Sequence, residues 1–483
     1  MQQPIPAPIV VEAPARPSAA QGQSALQSLR ALDREHLIHP VSAWRAHERR
    51  GVTVLESGHG CTLRDADGNE LLDAFAGLWC VNIGYGRQSV VDAATEQLRK
   101  LPYATGYFSF GSEPAIRLAD KLIEISPASL RHVYFSGGGS DAVDAAVRLI
   151  VQYWNSVGKP SKKHFITLQR GYHGSSSTGA GLTALPAFHR GFDLPLPTQH
   201  YLPSPNPYRS ADPDPQAVIA ASVAALRAKV AELGADHVAA SFCEPIQGSG
   251  GVIIPPKGWL KAMQDTAREL DILFVVDEVI TGFGRTGPMF ACDAEGVEPD
   301  LMTLAKGLTA GYIPMGATLL SDKVYAGIAD NTPPGAVVGH GATYSGHPVA
   351  AAVALEVIRL YQEGGILAHG QKVASHFAKA LDDLADHPLV GDVRHRGLLG
   401  AIELVGDKAT KQGFDPKLGL ADRISDIAYR NKLVFRSFAD QILGFAPALC
   451  ITEAECELLG QRLRRVLDET LALPEVRVIV KGR

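Results

Sequence analysis

Long apolar runs are missing from this 483-residue chain, and so is any dense block of lysine and arginine. A bilayer-spanning helix needs roughly 20 consecutive apolar residues; none is present, so no membrane role is expected. With a formal net charge of −5 and no basic cluster, no nucleic-acid surface is expected either. The six cysteines, Cys61, Cys80, Cys243, Cys292, Cys450 and Cys456, are scattered, with no Cys-x-x-Cys pair and no metal-ligand spacing. They read as reduced thiols, and neither a disulfide framework nor a metal site is expected. The first residues lack the basic-then-apolar order of a secretion signal, which makes a cytoplasmic protein the expectation. No internal repeat is visible.

What is present reads as a soluble globular protein of ordinary composition, with 46% hydrophobic and 20% charged residues. The length suggests two or three domains. Residues 1–25 are rich in Pro, Ala and Gln and bury too little to offset ordering, so a mobile tail is expected there. From Val52, short apolar runs alternate with turns: Val52–Leu55, Cys61–Leu63 and Leu71–Asp73, the last two flanking the turn dipeptide Asp67-Gly68. Two aromatic clusters interrupted by glycine follow, one around Trp79 and one comprising Tyr103, Tyr107, Phe108 and Phe110. Singly such aromatics belong to a core; clustered in loop-like sequence they suit a substrate wall.

Five later apolar runs each end on polar residues. His132–Phe135 leads into Ser136-Gly137-Gly138-Gly139-Ser140-Asp141, and residues from Ala142 to Trp154 recur at helical spacing. Strand, glycine loop and helix start offer free backbone N–H groups to an anion, with the Ser140 hydroxyl as a further donor; a flexible turn would read the same way. The loop lacks the Lys-Ser/Thr ending of a nucleotide phosphate loop and the spacing of a dinucleotide fold, which speaks against a nucleotide-dependent oxidoreductase. Phe165–Leu168 ends near Tyr172 and His173, where Tyr172 suits stacking on a planar ring or simple packing on protein. Val238–Cys243 closes on Glu244, Leu273–Val276 on Asp277, and Leu301–Leu304 beside Lys306.

Runs this apolar read as parallel strands covered on both faces, and ligands bind outside the carboxyl ends of such strands. An aspartate and a lysine meeting there suit pyridoxal 5'-phosphate, with the amine forming a Schiff base and the acid beside the pyridine nitrogen. A buried ion pair is the plainer alternative, but five such endings in one α/β layout favour function. Residues 195–215, rich in Pro, Asn and Asp, read as an irregular surface excursion. Helical segments at Val349–Leu360 and Val373–Leu384 follow, then strands near Leu389, Leu398–Leu404 and Leu433–Arg436. With a last helix capped by Thr452 and Glu455, this stretch reads as a separate α+β region.

The segments FVVDEVITGFGRTG (274–287), LAKGLTAGYIPMG (304–316) and EPIQGSGG (244–251) resemble class III pyridoxal-phosphate aminotransferases. AGLWCVNIGYG (76–86) and His340–Pro348 look most like the pyruvate-dependent ω-aminotransferases, which act on amines, diamines and β-amino acids. The resemblance is collinear over most of the chain. It implies a fold type I α/β enzyme whose large domain, residues 91–345, holds a mainly parallel seven-stranded sheet. A small α+β domain would come from both chain ends, residues 26–90 and 346–483, in a homodimer with shared active sites or a tetramer.

By this resemblance Lys306 is the Schiff-base lysine and Asp277 the partner of the pyridine nitrogen. Tyr172 and Val279 flank the ring, Gly138, Gly139 and Ser140 form the phosphate cup, and His173 and Glu244 stand beside the cofactor. Thr343 reaches the phosphate across the dimer interface, Trp79 belongs to the substrate pocket, where the aromatic cluster also suits Tyr107, and Arg436 grips a substrate carboxylate. The implied reaction is ping-pong transfer of an amino group from a primary amine to a keto acid, expected to be pyruvate. Aminomutases and decarboxylating aminotransferases share the fold, and a non-catalytic binding protein is the remaining alternative. One departure stands out: relatives read Ser-Gly-Ser-Glu where this chain has Ser136-Gly137-Gly138-Gly139, so Gly138 brings no hydroxyl to the phosphate cup.

Overall fold

The computed structural model describes residues 19–481, with side chains over 25–480. The tail expected over residues 1–25 lies largely outside them, and the helix Ala19–His36 starts before its end. Two compact units result. One holds the described residues up to Ser57 together with Leu63–Glu70; the other holds Gly58–Thr62 and the chain from Leu71 onward.

In the first unit the helices Ala19–His36 and Trp44–Arg50 are followed by the turn at Asp67-Gly68. Asp65 builds that turn: its Oδ1 accepts from the backbone N–H of Asp67 at 3.0 Å and of Asn69 at 2.8 Å. Short polar side chains that bond their own backbone are what make such dipeptides turns.

The second unit is organised by a seven-stranded sheet. Its order in space is Leu130–Ser136, Gly316–Ser321, Leu301–Leu304, Leu273–Asp277, Val238–Cys243, His164–Leu168 and Gln199–Leu202. Gly316–Ser321 is antiparallel to both of its neighbours, and the remaining pairs are parallel. Six strands therefore share one direction, and their carboxyl ends lie along one edge.

Both faces of the sheet are covered. Along Leu273–Asp277, Leu273 and Val275 join one apolar cluster, with Trp154 and Phe242, while Phe274 and Val276 join the other. Period-2 alternation persists, but each face meets apolar cover, which is why the run reads as continuous. Each such side chain contributes about 1.5–3 kcal/mol on burial, so a charge at Val275 would break the sheet's centre.

The excursion expected over residues 195–215 is corrected here, since Gln199–Leu202 form an edge strand. Their sequence is polar because the edge is half-covered: His200 Nε2 sits 2.7 Å from His164 Nδ1, and the Tyr201 hydroxyl donates to Gly181 O. Gly316–Ser321 is a strand that composition did not suggest.

A second sheet, antiparallel, runs Val390–Arg396, Leu399–Leu404, Ile442–Phe445, Arg436–Ser437. Leu72 and Asp73 pair in parallel with Leu433 and Val434, so residues near the start and the end of the chain share a ladder. The helix Glu453–Leu471 opens on the expected capping box, with Glu455 N donating to Thr452 Oγ1 at 3.2 Å and Thr452 N to Glu455 Oε2 at 2.8 Å. Among the described residues no helix is long and apolar enough to cross a membrane.

Candidate active site

Five strand ends converge on one cavity, lined by Gly139, Ser140, Tyr172, His173, Glu244, Asp277, Val279 and Lys306. Parallel strands with a common direction put their terminal loops on one edge, so residues up to 167 positions apart in sequence meet (Gly139 to Lys306).

Asp277 ends its strand buried, and its carboxylate is fixed from two sides. Oδ1 accepts from Val279 N at 3.1 Å, and Oδ2 lies 2.8 Å from His173 Nδ1. His173 is itself held: Nε2 meets Thr167 Oγ1 at 2.8 Å, and its backbone N–H donates to Thr183 Oγ1 at 2.8 Å. Burial alone would push the imidazole down, but the hydrogen bond to Asp277 and its charge win, and His173 titrates above its ordinary value. Thr167 and Thr183 carry no motif of their own. Only the strand register, which sets Thr167 on the His173 side, would have revealed them.

Glu244 is buried and accepts the N–H groups of Tyr172 at 2.9 Å and Gly248 at 3.0 Å. Burial pushes its carboxyl up to about 7, and the Asp277 charge adds to this against the pull of His173. Glu244 thus ties the Tyr172 loop to the loop after the neighbouring strand.

Lys306 follows the strand Leu301–Leu304 in a left-handed backbone conformation, φ 43°. Such strain in a residue with a side chain is kept where the surroundings over-determine it. The next residue shows how: a Cβ on Gly307 would lie 2.7 Å from Asn82 Nδ2 and 2.9 Å from Phe283 Cβ. Gly307 O also accepts from the buried Tyr361 hydroxyl at 2.7 Å. Burial pushes the Lys306 amine down, against the opposing charges of Asp277 and Glu244.

The helix Gly139–Ser156 starts at the cavity, so its free N–H groups and positive end face it. A Cβ on Gly139 would sit 3.1 Å from Val279 Cγ1. Gly138 is one step outside the lining: its carbonyl accepts from Ala142 N at 3.0 Å, and its Cβ position meets open space.

Other expected residues lie apart from this cavity. Trp79 is buried behind it; a Cβ on Gly248 would touch both Trp79 Cζ3, at 2.7 Å, and the cavity-lining Ile280, at 2.5 Å. The Trp79 indole N–H has no acceptor among the described residues. Arg436 is exposed, its guanidinium 5.5 Å from the Phe438 ring, which lies 6.4 Å from Trp79. It forms no ion pair among the described residues. Thr343 and Tyr107 sit on an exposed surface, where Thr343 O accepts from the Tyr103 hydroxyl at 2.9 Å.

The family model for "Aminotransferase class-III" matches residues 44–467. This chain belongs to the class III aminotransferases. It is 40% identical to the putrescine–pyruvate aminotransferase of Pseudomonas aeruginosa, over 92% of this chain and 96% of that one. It is 36% identical to the diaminobutyrate–2-oxoglutarate transaminase of Halomonas elongata, over 90% and 95%. Among solved structures, the omega transaminase of Pseudomonas jessenii in complex with PMP superposes with a TM-score of 0.89 at 37% identity, covering 92% of this aminotransferase and 98% of that chain. The class III aminotransferase fold is thus the mixed α/β, fold type I architecture described above, and its members carry out transamination with pyridoxal phosphate.

The cavity of this aminotransferase fits that cofactor chemically. It offers a helix start for a phosphate, a buried carboxylate for a ring N–H, an amine for an aldehyde, and Tyr172 and Val279 for the ring's faces.

Proposed function

We propose that this aminotransferase moves the amino group of a diamine or ω-amino acid to pyruvate, in two half-reactions that share the cavity at the strand ends. The meeting of Lys306 and Asp277 in one cavity carries this reading. Lys306 Nζ is the chain's point of attachment for the cofactor's aldehyde carbon. When bound, pyridoxal phosphate supplies an electron-poor ring that takes up the electrons left when the substrate carbon loses its proton.

The chain's own groups do the rest. Asp277, with Oδ2 held by His173, keeps a negative charge where a protonated ring nitrogen needs one. Lys306, released when the substrate amine takes its place and pushed toward its neutral form by burial, would carry the proton at Nζ from the substrate carbon to the carbon that had held the lysine. The helix start at Gly139 and Ser140 anchors the phosphate, so the reacting atoms stay within reach of Nζ.

One pocket must accept a free amine and then a keto acid. Arg436, exposed and with no ion pair among the described residues, is suited to bind the carboxylate bidentately and to withdraw when none is present. Similarity to a putrescine–pyruvate aminotransferase supports pyruvate as the acceptor.

The active assembly in this reading is a cytoplasmic homodimer, with Thr343 of one subunit completing the phosphate site of the other. In support, Thr343 O accepts from Tyr103, whose ring meets the 67% exposed Tyr344, and the Tyr107 ring meets that of Phe108, which is 84% exposed. Large apolar side chains grouped on a surface mark an interface. A panel of mono- and diamines offered with pyruvate or 2-oxoglutarate, with products identified by mass spectrometry, tests the reading. Deamination of a diamine coupled to alanine formation is expected; isomerised or decarboxylated product would sink it.

A further inference from the structure

Asp33, His39 and His47 stand outside the chemistry above. All three belong to the first compact unit. Asp33 lies in the last turn of the helix Ala19–His36, His39 in the turn beyond it, and His47 within the helix Trp44–Arg50. His39 Nε2 is 2.6 Å from Asp33 Oδ1, and His47 Nε2 is 3.2 Å from Asp33 Oδ2. The two rings are neighbours, with centroids 4.1 Å apart and planes tilted by 39°. One ligand atom from each residue falls within 4.8 Å of the other two. Both imidazoles therefore turn the same nitrogen toward one carboxylate.

We propose that Asp33, His39 and His47 bind a zinc ion that ties these two helices together. Neutral imidazole nitrogen and carboxylate oxygen are ordinary zinc donors, at about 2.0–2.1 Å and about 2.0–2.2 Å in a tetrahedral arrangement. Those lengths set neighbouring ligand atoms about 3.3 Å apart. His39 and His47 approach different oxygens of the Asp33 carboxylate, and since one ligand atom from each residue already lies within 4.8 Å of the other two, no pair moves by more than about 1.5 Å to reach that spacing. The side chains of Asp33, His39 and His47 keep 10%, 27% and 22% of their exposure, so an ion enters from solvent and water takes the fourth position.

Donor chemistry points the same way. A nitrogen-rich set with one oxygen suits zinc better than magnesium or calcium, which favour all-oxygen sites. The ligands cross a helix end, a turn and a second helix, and their spacing matches no linear metal motif. This is why the sequence alone leads to the expectation of no metal.

The test uses the full-chain holoenzyme, stripped of loose metal with a chelator and titrated with zinc chloride. Bound metal is measured by mass spectrometry after gel filtration, and cobalt(II) serves as a coloured probe of coordination. About one zinc per chain is expected in the wild type and in His132→Gln, a surface histidine paired with Asp322 and remote from the site in sequence. His39→Gln, His47→Gln and Asp33→Asn should each bind at least about tenfold more weakly and lose the cobalt spectrum. Circular dichroism and cofactor content identify any variant that has lost its fold, and the remaining variants then decide. A wild type that takes up no zinc, or folded variants that bind it as the wild type does, would overturn the proposal.

Discussion

His173 Nδ1 lies 2.8 Å from Asp277 Oδ2, with both side chains buried where two parallel strands end. This contact holds the carboxylate in place and keeps its charge compensated before any ligand arrives. A hydrogen bond to a charged group is worth about 1.5–3 kcal/mol, which is about tenfold to a hundredfold in affinity. His173→Ala should weaken pyridoxal-phosphate binding by about that factor, measured by cofactor titration. His173→Asn, whose amide nitrogen stands near the position of Nδ1, should restore part of it. Unchanged affinity in the alanine variant would show that the contact is only structural.

Glu244 gives a pH dependence of known sign. Its carboxyl titrates at about 7 in the fold, against an ordinary value of 4.5. A raised value means that the protonated form is favoured by folding. The stabilisation is complete below pH 4.5 and is lost as pH rises through about 7, on the order of 3 kcal/mol in all. Glu244→Gln should flatten this slope in denaturant titrations of the cofactor-free chain at about pH 5 and about pH 8. A slope identical in the two proteins would contradict the assignment.

The site's backbone was more legible in the sequence than its surroundings. Apolar runs ending on Glu244, Asp277 and beside Lys306 identify parallel strands, because covered strands lose visible alternation. The edge strand Gln199–Leu202 escaped the same reasoning because half-covered edges keep polar residues. The supports of the site were hidden for another reason. Thr167, Thr183 and Asn82 act through register and close approach, which are set by pairing across the sheet and not by local pattern. Thr343 and Arg436 came from the resemblance and Tyr107 from the aromatic clustering, and a single chain leaves all three outside the cavity.

Neighbouring glycines at the helix start should respond differently to substitution. Gly138 has an extended backbone, and its Cβ position is open. Gly138→Ser should leave the melting temperature unchanged and tighten phosphate binding about threefold to tenfold through one added hydrogen bond. At Gly139 a Cβ meets Val279 at 3.1 Å, so Gly139→Ser should weaken cofactor binding. Equal effects at the two positions, read by cofactor titration, would refute this account of the cradle.

Arg436→Ala should separate the half-reactions. Loss of a bidentate carboxylate contact is worth about 2–3 kcal/mol, so KM for pyruvate should rise roughly thirtyfold to a hundredfold. The half-reaction with a diamine, which has no carboxylate, should change less than about threefold. Stopped-flow measurement of each half-reaction makes the comparison, and equal losses would remove Arg436 from the pocket.

The most direct test of the central claim is chemical. Borohydride reduction of the holoenzyme fixes the cofactor to the amine that carries it, and peptide mass spectrometry finds that amine. The label should fall on Lys306, and Lys306→Ala should take up none and lose turnover while remaining folded. A label on another lysine, or turnover near the wild-type level in that variant, would contradict the placement of the chemistry at Lys306 and Asp277.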